Sequence, residues 1–370
     1  MKKFTYLDSV RGLACLMVVF SHCTLTFFPY IHNLENAVIP EANYFQGFLN
    51  QSIFGVTYSG TAAVYIFFVL SGIVLSYSFE KKLHPNMLKL FIARYFRLMI
   101  PALASCIIAL IVYLTFSNSI NNNTTLPDWI RSIAISNPKF SDAIYNGTIS
   151  PFIFQKSSYN VVLWTMGIEF FGSILVYSFC ALERKLSTLT CLALSAATIA
   201  IVSYFDPRMS FGLTCFMIGL GIFKWEIRID NKWIAWLVLF LGLYLAGVHN
   251  NSKYYSVFSA IFSHYSFLLI NILSAPVIVL GIMSLSKAQK WLDQPFLVEL
   301  GRRSFPIYLI HLPILLVVVG LGEQITGFEQ HYNEKGLALS ALVVLLSITL
   351  SKLLVRVDNS AIFISKKIHQ

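Results

Sequence analysis

Charge is scarce in this chain: Asp, Glu, Lys and Arg make up 12% of its 370 residues, against 56% hydrophobic residues and a mean hydropathy of +0.69. That scarcity excludes an ordinary soluble globule. The strict apolar–polar alternation of a membrane β-barrel is also missing. What remains is an all-α polytopic membrane protein, because the hydrophobic runs reach the roughly 20 helical residues that cross a hydrocarbon core of about 30 Å. No small-residue cleavage site follows a short apolar core at the N-terminus, where MKKFTYLDSVRG leads directly into a charged helix. The first run therefore reads as a retained span, not a signal peptide. There is no CxxC pair: Cys15, Cys23, Cys106, Cys180, Cys191 and Cys215 all fall within apolar runs and read as small buried side chains. The histidines and carboxylates lack ligand spacing such as HExxH, so no metal is expected.

The apolar runs predict ten spans in one domain over 1–370, at about 9–29, 54–78, 98–116, 161–181, 187–205, 209–225, 233–249, 263–285, 304–321 and 336–356. The net charge of +10 raises the question of a nucleic-acid partner, but the basic residues follow the membrane. With the N-terminus inside, the outer segments hold only Arg131, Lys139, Lys156, Arg208, Lys253 and Lys335 of the 27 basic residues. This asymmetry predicts cytoplasmic termini by the positive-inside rule and leaves nucleic acid without a role. The last span is expected to lead into a short basic tail with no appended soluble domain.

Within so apolar a chain the few buried ionisable groups become conspicuous. The run Asp8–Phe28 carries Asp8 and Arg11 at its start and His22 in its middle. Eleven helical steps separate Arg11 from His22, placing both on one stripe about 16 Å apart. An ionisable side chain at bilayer depth costs roughly 2.5–3.5 kcal/mol and by default faces a protein interior or a watery cavity. His22 is accordingly the expected base; the competing reading is a neutral histidine bonded between helices. Arg94 and Arg97, three apart near the start of span three, form either a fork for phosphate or carboxylate or a topology anchor. Pro101, one turn on, is expected to bend that helix beside a cavity. Ser71 and Gly72 read as small residues at a close helix contact.

Glu169 lies about two turns inside span four, with Trp164 five residues before it; it is either paired with a buried cation or engaged with substrate or protons. Ser304, Tyr308 and His311 follow one helical face behind Arg302 and Arg303, and His311 is placed to orient His22 or to meet a substrate. His249 and His264 sit near span ends and read as interfacial. The long outer segment from Ser117 to Asn160 reads as a polar loop whose aromatic residues, Trp129 among them, form either an interfacial belt or a platform for sugar rings.

In this order, Arg11 with His22 in LDSVRGLA, FFVLSG at 67–72, Arg94 and Arg97, Trp164 with Glu169, and the SxxxYLxH run 304–311 resemble the membrane acyltransferase-3 family of bacterial multi-pass O-acyltransferases. The family's span-four motif usually reads Ser-Leu-x-x-Glu, where this chain has Thr165-Met166-Gly167-Ile168-Glu169. The resemblance implies a bacterial inner-membrane enzyme with about ten helices around a polar channel. It implies cytoplasmic acetyl-CoA as donor and no metal, with a hydroxyl acceptor on a lipid-linked or exported glycan such as O-antigen, capsule or exopolysaccharide. On that reading His22, Arg11 and Glu169 are catalytic, with His22 as base or transient acyl carrier. Arg94, Arg97, Arg302 and Arg303 hold the donor, and Trp164, Glu169, Ser304, Tyr308 and His311 meet the acceptor. Two other readings use the same residues: acylation of a small molecule such as a macrolide, by acetyl or another acyl donor, and a proton-coupled transporter. The transporter is disfavoured by the absence of a convincing internal repeat.

Overall fold

The computed structural model describes residues 4–32, 44–81, 85–123, 126–249, 255, 266–326 and 332–369. His264 and Lys253, named above, lie outside the described residues. A long helix stands at each of the ten expected spans: α1 Thr5–Phe27, α2 Gly60–Glu80, α3 Met87–Asn122, α4 Thr165–Leu182, α5 Thr188–Phe205, α6 Pro207–Lys224, α7 Lys232–Ala246, α8 Ser266–Ser284, α9 Ser304–Thr326 and α10 Tyr332–His369. Among the described residues there is no strand, and 8 helices are long and apolar enough to cross a membrane. The two others are α6, which carries Arg208 and Lys224 near its ends, and α7, with 15 residues. The chain is an all-α integral membrane protein.

Three boundaries differ from expectation, each for a local reason. Helix α3 runs for 36 residues, starting where the Asn86 side chain accepts from the Lys89 amide at 3.1 Å and continuing through Pro101. At 1.5 Å per residue it is about 54 Å long, well beyond the hydrocarbon core. Helix α10 runs for 38 residues and absorbs the expected basic tail, with buried positions continuing at helical spacing through Leu354, Asp358 and Ala361. The segment before α4, read as an outer polar loop, instead turns into the protein. Tyr159, Asn160, Val162 and Leu163 are buried, and the Asn160 side-chain amide donates to the Leu309 carbonyl at 2.9 Å and to Ser105 Oγ at 3.1 Å. Non-helical backbone is tolerated at such depth only where protein covers and bonds it.

Helices α1 and α9 enter from the same end and pack in register. Cys15 Sγ donates to the Ser304 carbonyl at 3.2 Å and His22 meets His311 at 2.9 Å, both pairs separated by 289 residues. The two contacts are two helical turns apart on each helix, so one packing seam fixes both. Below that seam, the short helix Pro295–Arg302 presses Gly301 onto α1; a Cβ there would lie 1.9 Å from the Asp8 carbonyl oxygen. Helices α2 and α6 meet through Gly72 and Gly219, whose added Cβ atoms would fall 2.2 Å from the Phe216 oxygen and 2.1 Å from the Val69 oxygen. The expectation of a close helix contact at Gly72 thus holds. Gly219→Val should force these helices apart and destabilise the detergent-solubilised protein by about 1–3 kcal/mol. Thermal unfolding checks this, and an unchanged midpoint would show that the interface yields.

Candidate active site

Ser71, next to Gly72, faces the other way, into a polar cluster. Its Oγ donates to Glu169 Oε1 at 2.9 Å. Arg94 binds the other carboxylate oxygen through Nη2 at 2.8 Å and reaches Ser173 Oγ through Nε at 2.8 Å. Ser173, one turn after Glu169 on α4, is oriented by donating to the Glu169 carbonyl at 2.5 Å. Arg11 stands beside this group with only a long bond, 3.4 Å, from Nη2 to Ser71 Oγ. It has no ion pair among the described residues. Arg11, Ser71, Arg94 and Glu169 line a cavity of about 150 Å³, which Arg97, Thr165, Ser304 and Tyr308 also border.

Arg94 and Arg97 do not form a single fork. Arg97 turns to α10, where Nη1 and Nη2 bind the Asp358 carboxylate at 2.5 and 3.2 Å. The helix face that carries both arginines borders one cavity, but each guanidinium has its own carboxylate. Three guanidiniums border the cavity, and Arg11 has no ion pair among the described residues, which gives the cavity a preference for anions. Glu169 belongs to this arginine cluster, which is the paired alternative of the two that the sequence leaves open. Arg302 and Arg303 are outside the cavity lining and both contact Glu299, Arg303 at 2.6 Å through Nε. Trp164 is also outside it, under the Arg208 guanidinium at 5.2 Å from the ring centroid.

On the far side of Tyr308 lie the two histidines. The Tyr308 hydroxyl donates to the Val162 carbonyl at 2.7 Å and contacts Thr165 Oγ1 at 3.1 Å, so the α4 entry and α9 together close the cavity. One turn on, His311 Nδ1 lies 2.7 Å from the Tyr308 carbonyl, which can only accept. Nδ1 therefore carries the proton, and in a neutral His311 the Nε2 is the acceptor. His22 Nδ1, 2.9 Å from that Nε2, must then be the donor. The assignment leaves the lone pair of neutral His22 on Nε2, free of the relay. Trp129, from the short helix Asp128–Ile133, stacks on the His22 ring at 5.8 Å between centroids and 28° between planes.

Sequence reading thus reached Arg11, His22, Arg94, Glu169, Ser304, Tyr308 and His311, which the fold brings together at and beside one cavity. It did not reach Asp358, Ser173 or the site role of Ser71. Ser71 reads as packing because it adjoins Gly72, and Ser173 is one serine among many. Asp358 did carry a signal: it is an acidic residue in an apolar helical pattern that continues past the expected span. Among the described residues no group of three or more His, Cys, Asp or Glu side chains could hold a metal ion.

The site thus belongs to an integral membrane protein whose apolar helices enclose an arginine–carboxylate cavity and, beside it, a pair of hydrogen-bonded histidines. The family model for an acyltransferase domain, acyltransferase 3, matches residues 4–356, and the chain belongs to that family. A stretch of 73 residues is 38% identical to the O-acetyltransferase PaAT-1 of Phomopsis amygdali, covering 20% of this chain and 14% of that protein. No solved structure matches the chain.

Proposed function

We propose that the protein is a membrane O-acetyltransferase of a bacterial inner membrane, with both termini cytoplasmic. It takes the acetyl group of cytoplasmic acetyl-CoA and delivers it to a hydroxyl of a lipid-linked or exported glycan. The observation that carries this reading is the relay from the Tyr308 carbonyl through His311 to His22, which leaves His22 Nε2 as a fixed proton acceptor next to an arginine-lined cavity. Arg11, Arg94 and Arg97 are the donor-binding cations. The cavity, about 150 Å³, fits a slender segment of the donor and not the whole molecule. Arg302 and Arg303 are placed to meet the more distant phosphates at the same end of α9. Glu169 holds Arg94 in position.

In the reaction, His22 Nε2 takes the acceptor's hydroxyl proton as that oxygen attacks the thioester carbonyl carbon. The tetrahedral intermediate collapses with cleavage of the carbon–sulfur bond, and the His22 imidazolium returns the proton to the departing CoA thiolate. The products are an O-acetyl ester and CoA thiol. His311 keeps the His22 ring in the reactive tautomer, in the way a ligand's orienting partner does at other sites. Tyr308 and Thr165 divide donor and acceptor compartments, with the aromatic residues Trp129 and Trp164 on the acceptor side. The reading rests on acetyl transfer and is tested with radiolabelled acetyl-CoA and purified protein in nanodiscs. Saturable binding with transfer to a hydroxyl is expected. Label trapped covalently on the protein and lost in His22→Ala would instead make His22 an acyl carrier. No binding by folded protein would sink the reading.

A further inference from the structure

Trp129 is placed on His22 in a way that packing alone does not explain. Its ring lies nearly parallel to the imidazole, while its Nε1–H is buried without a hydrogen-bond partner. An unpaired buried donor is a net cost to stability. A phenylalanine would cover the same face without that cost. What the indole adds is the most electron-rich face among the aromatic side chains, and hence the strongest attraction for a cation. Neutral imidazole offers no cation. The imidazolium that forms when His22 accepts a proton does, and Trp129 covers the face of that ring. His311, 2.9 Å away in the relay, has no negative charge with which to balance it. Among the described residues, none of the groups bonded to or stacked on the His22 ring, which are His311, Trp129 and the Val18 backbone, is a carboxylate.

We propose that Trp129 is a positioning residue for the reaction, holding the His22 ring by stacking and stabilising its protonated form through the indole face. The inference rests on the reading of His22 as the proton acceptor. It takes the place that a carboxylate occupies in other histidine-based sites and explains why this relay can end on a neutral carbonyl.

The test follows CoA-thiol release from acetyl-CoA by protein in dodecyl maltoside, whose sugar hydroxyls serve as the acceptor probe. Trp129→Leu is expected to lower kcat about tenfold, the order of a cation–π contact of 1–2 kcal/mol, with KM for acetyl-CoA unchanged. Trp129→Phe, with a weaker aromatic face, should fall between the parent and Trp129→Leu. Protein grown on fluorotryptophan, which withdraws electron density from the indole face, should turn over more slowly than its unfluorinated parent, and the difference should vanish in the Trp129→Phe background. That last comparison removes the contributions of the other tryptophans and of folding. Equal rates for the Leu, Phe and parent proteins overturn the inference alone, as does a fluorination effect that persists in Trp129→Phe. A raised KM for the detergent in Trp129→Phe, with kcat unchanged, overturns it in favour of an Nε1–H bond to the acceptor. A parent protein that releases no CoA thiol overturns both the inference and the acetyltransferase reading on which it depends.

Discussion

Replacing His22 by alanine should reduce acetyl transfer by about a hundred- to ten-thousand-fold, the range ascribed to a positioned general base, while leaving acetyl-CoA binding within a few-fold of the parent. The separation follows from geometry. His22 is outside the lining of the arginine cavity, with Tyr308 between, so its removal deletes no donor contact. His311→Asn should cost less than His22→Ala, because the amide can still accept from His22 Nδ1 although it cannot share the proton. Binding titrations alongside single-turnover CoA release check both statements. A His22→Ala protein that binds and transfers normally would remove His22 from the chemistry.

The second large effect is expected at Arg94. Its guanidinium makes one bond to the Glu169 carboxylate and another to Ser173, and both Arg94 and Glu169 side chains are mostly buried, at 20% and 13% exposure. Arg94→Ala therefore strands a carboxylate at depth, a change that costs about 3–5 kcal/mol where one member of a buried pair is lost. Donor binding should fall with it, since the cavity loses one of the guanidiniums that line it. The double variant Arg94→Ala/Glu169→Ala distinguishes the two consequences: thermal stability should largely recover, and acetyl-CoA binding should not. Recovery of both would mean that the pair is only structural. Recovery of neither would place the damage elsewhere in the bundle.

The apolar runs made the ten helices legible, and depth alone singled out most of the buried ionisable groups. Arg11, His22, Glu169 and His311 stand out because each is costly where it stands. Partnership was less legible. The Arg94–Arg97 spacing describes one helix face correctly but says nothing of the carboxylates arriving from α4 and α10. Glu169 stayed open between a buried ion pair and a substrate contact because the polar residues from Gln155 to Asn160 resemble any surface loop. Only their bonds to Ser105 and Leu309 reveal that the chain runs inward there. Asp358 lies two residues past the segment matched by the family model and still supplies the counter-ion of Arg97.

The constant separation of 289 residues between the paired positions of α1 and α9 sets a schedule for biosynthesis. At a synthesis rate of roughly 5–20 residues per second, α1 waits on the order of 15–60 s after leaving the ribosome before the helix that completes its seam exists. During that interval Arg11 and His22 must reside in or beside the bilayer without their final neighbours. A nascent chain arrested before α9 should consequently be a better substrate for membrane quality-control proteases than one arrested after it.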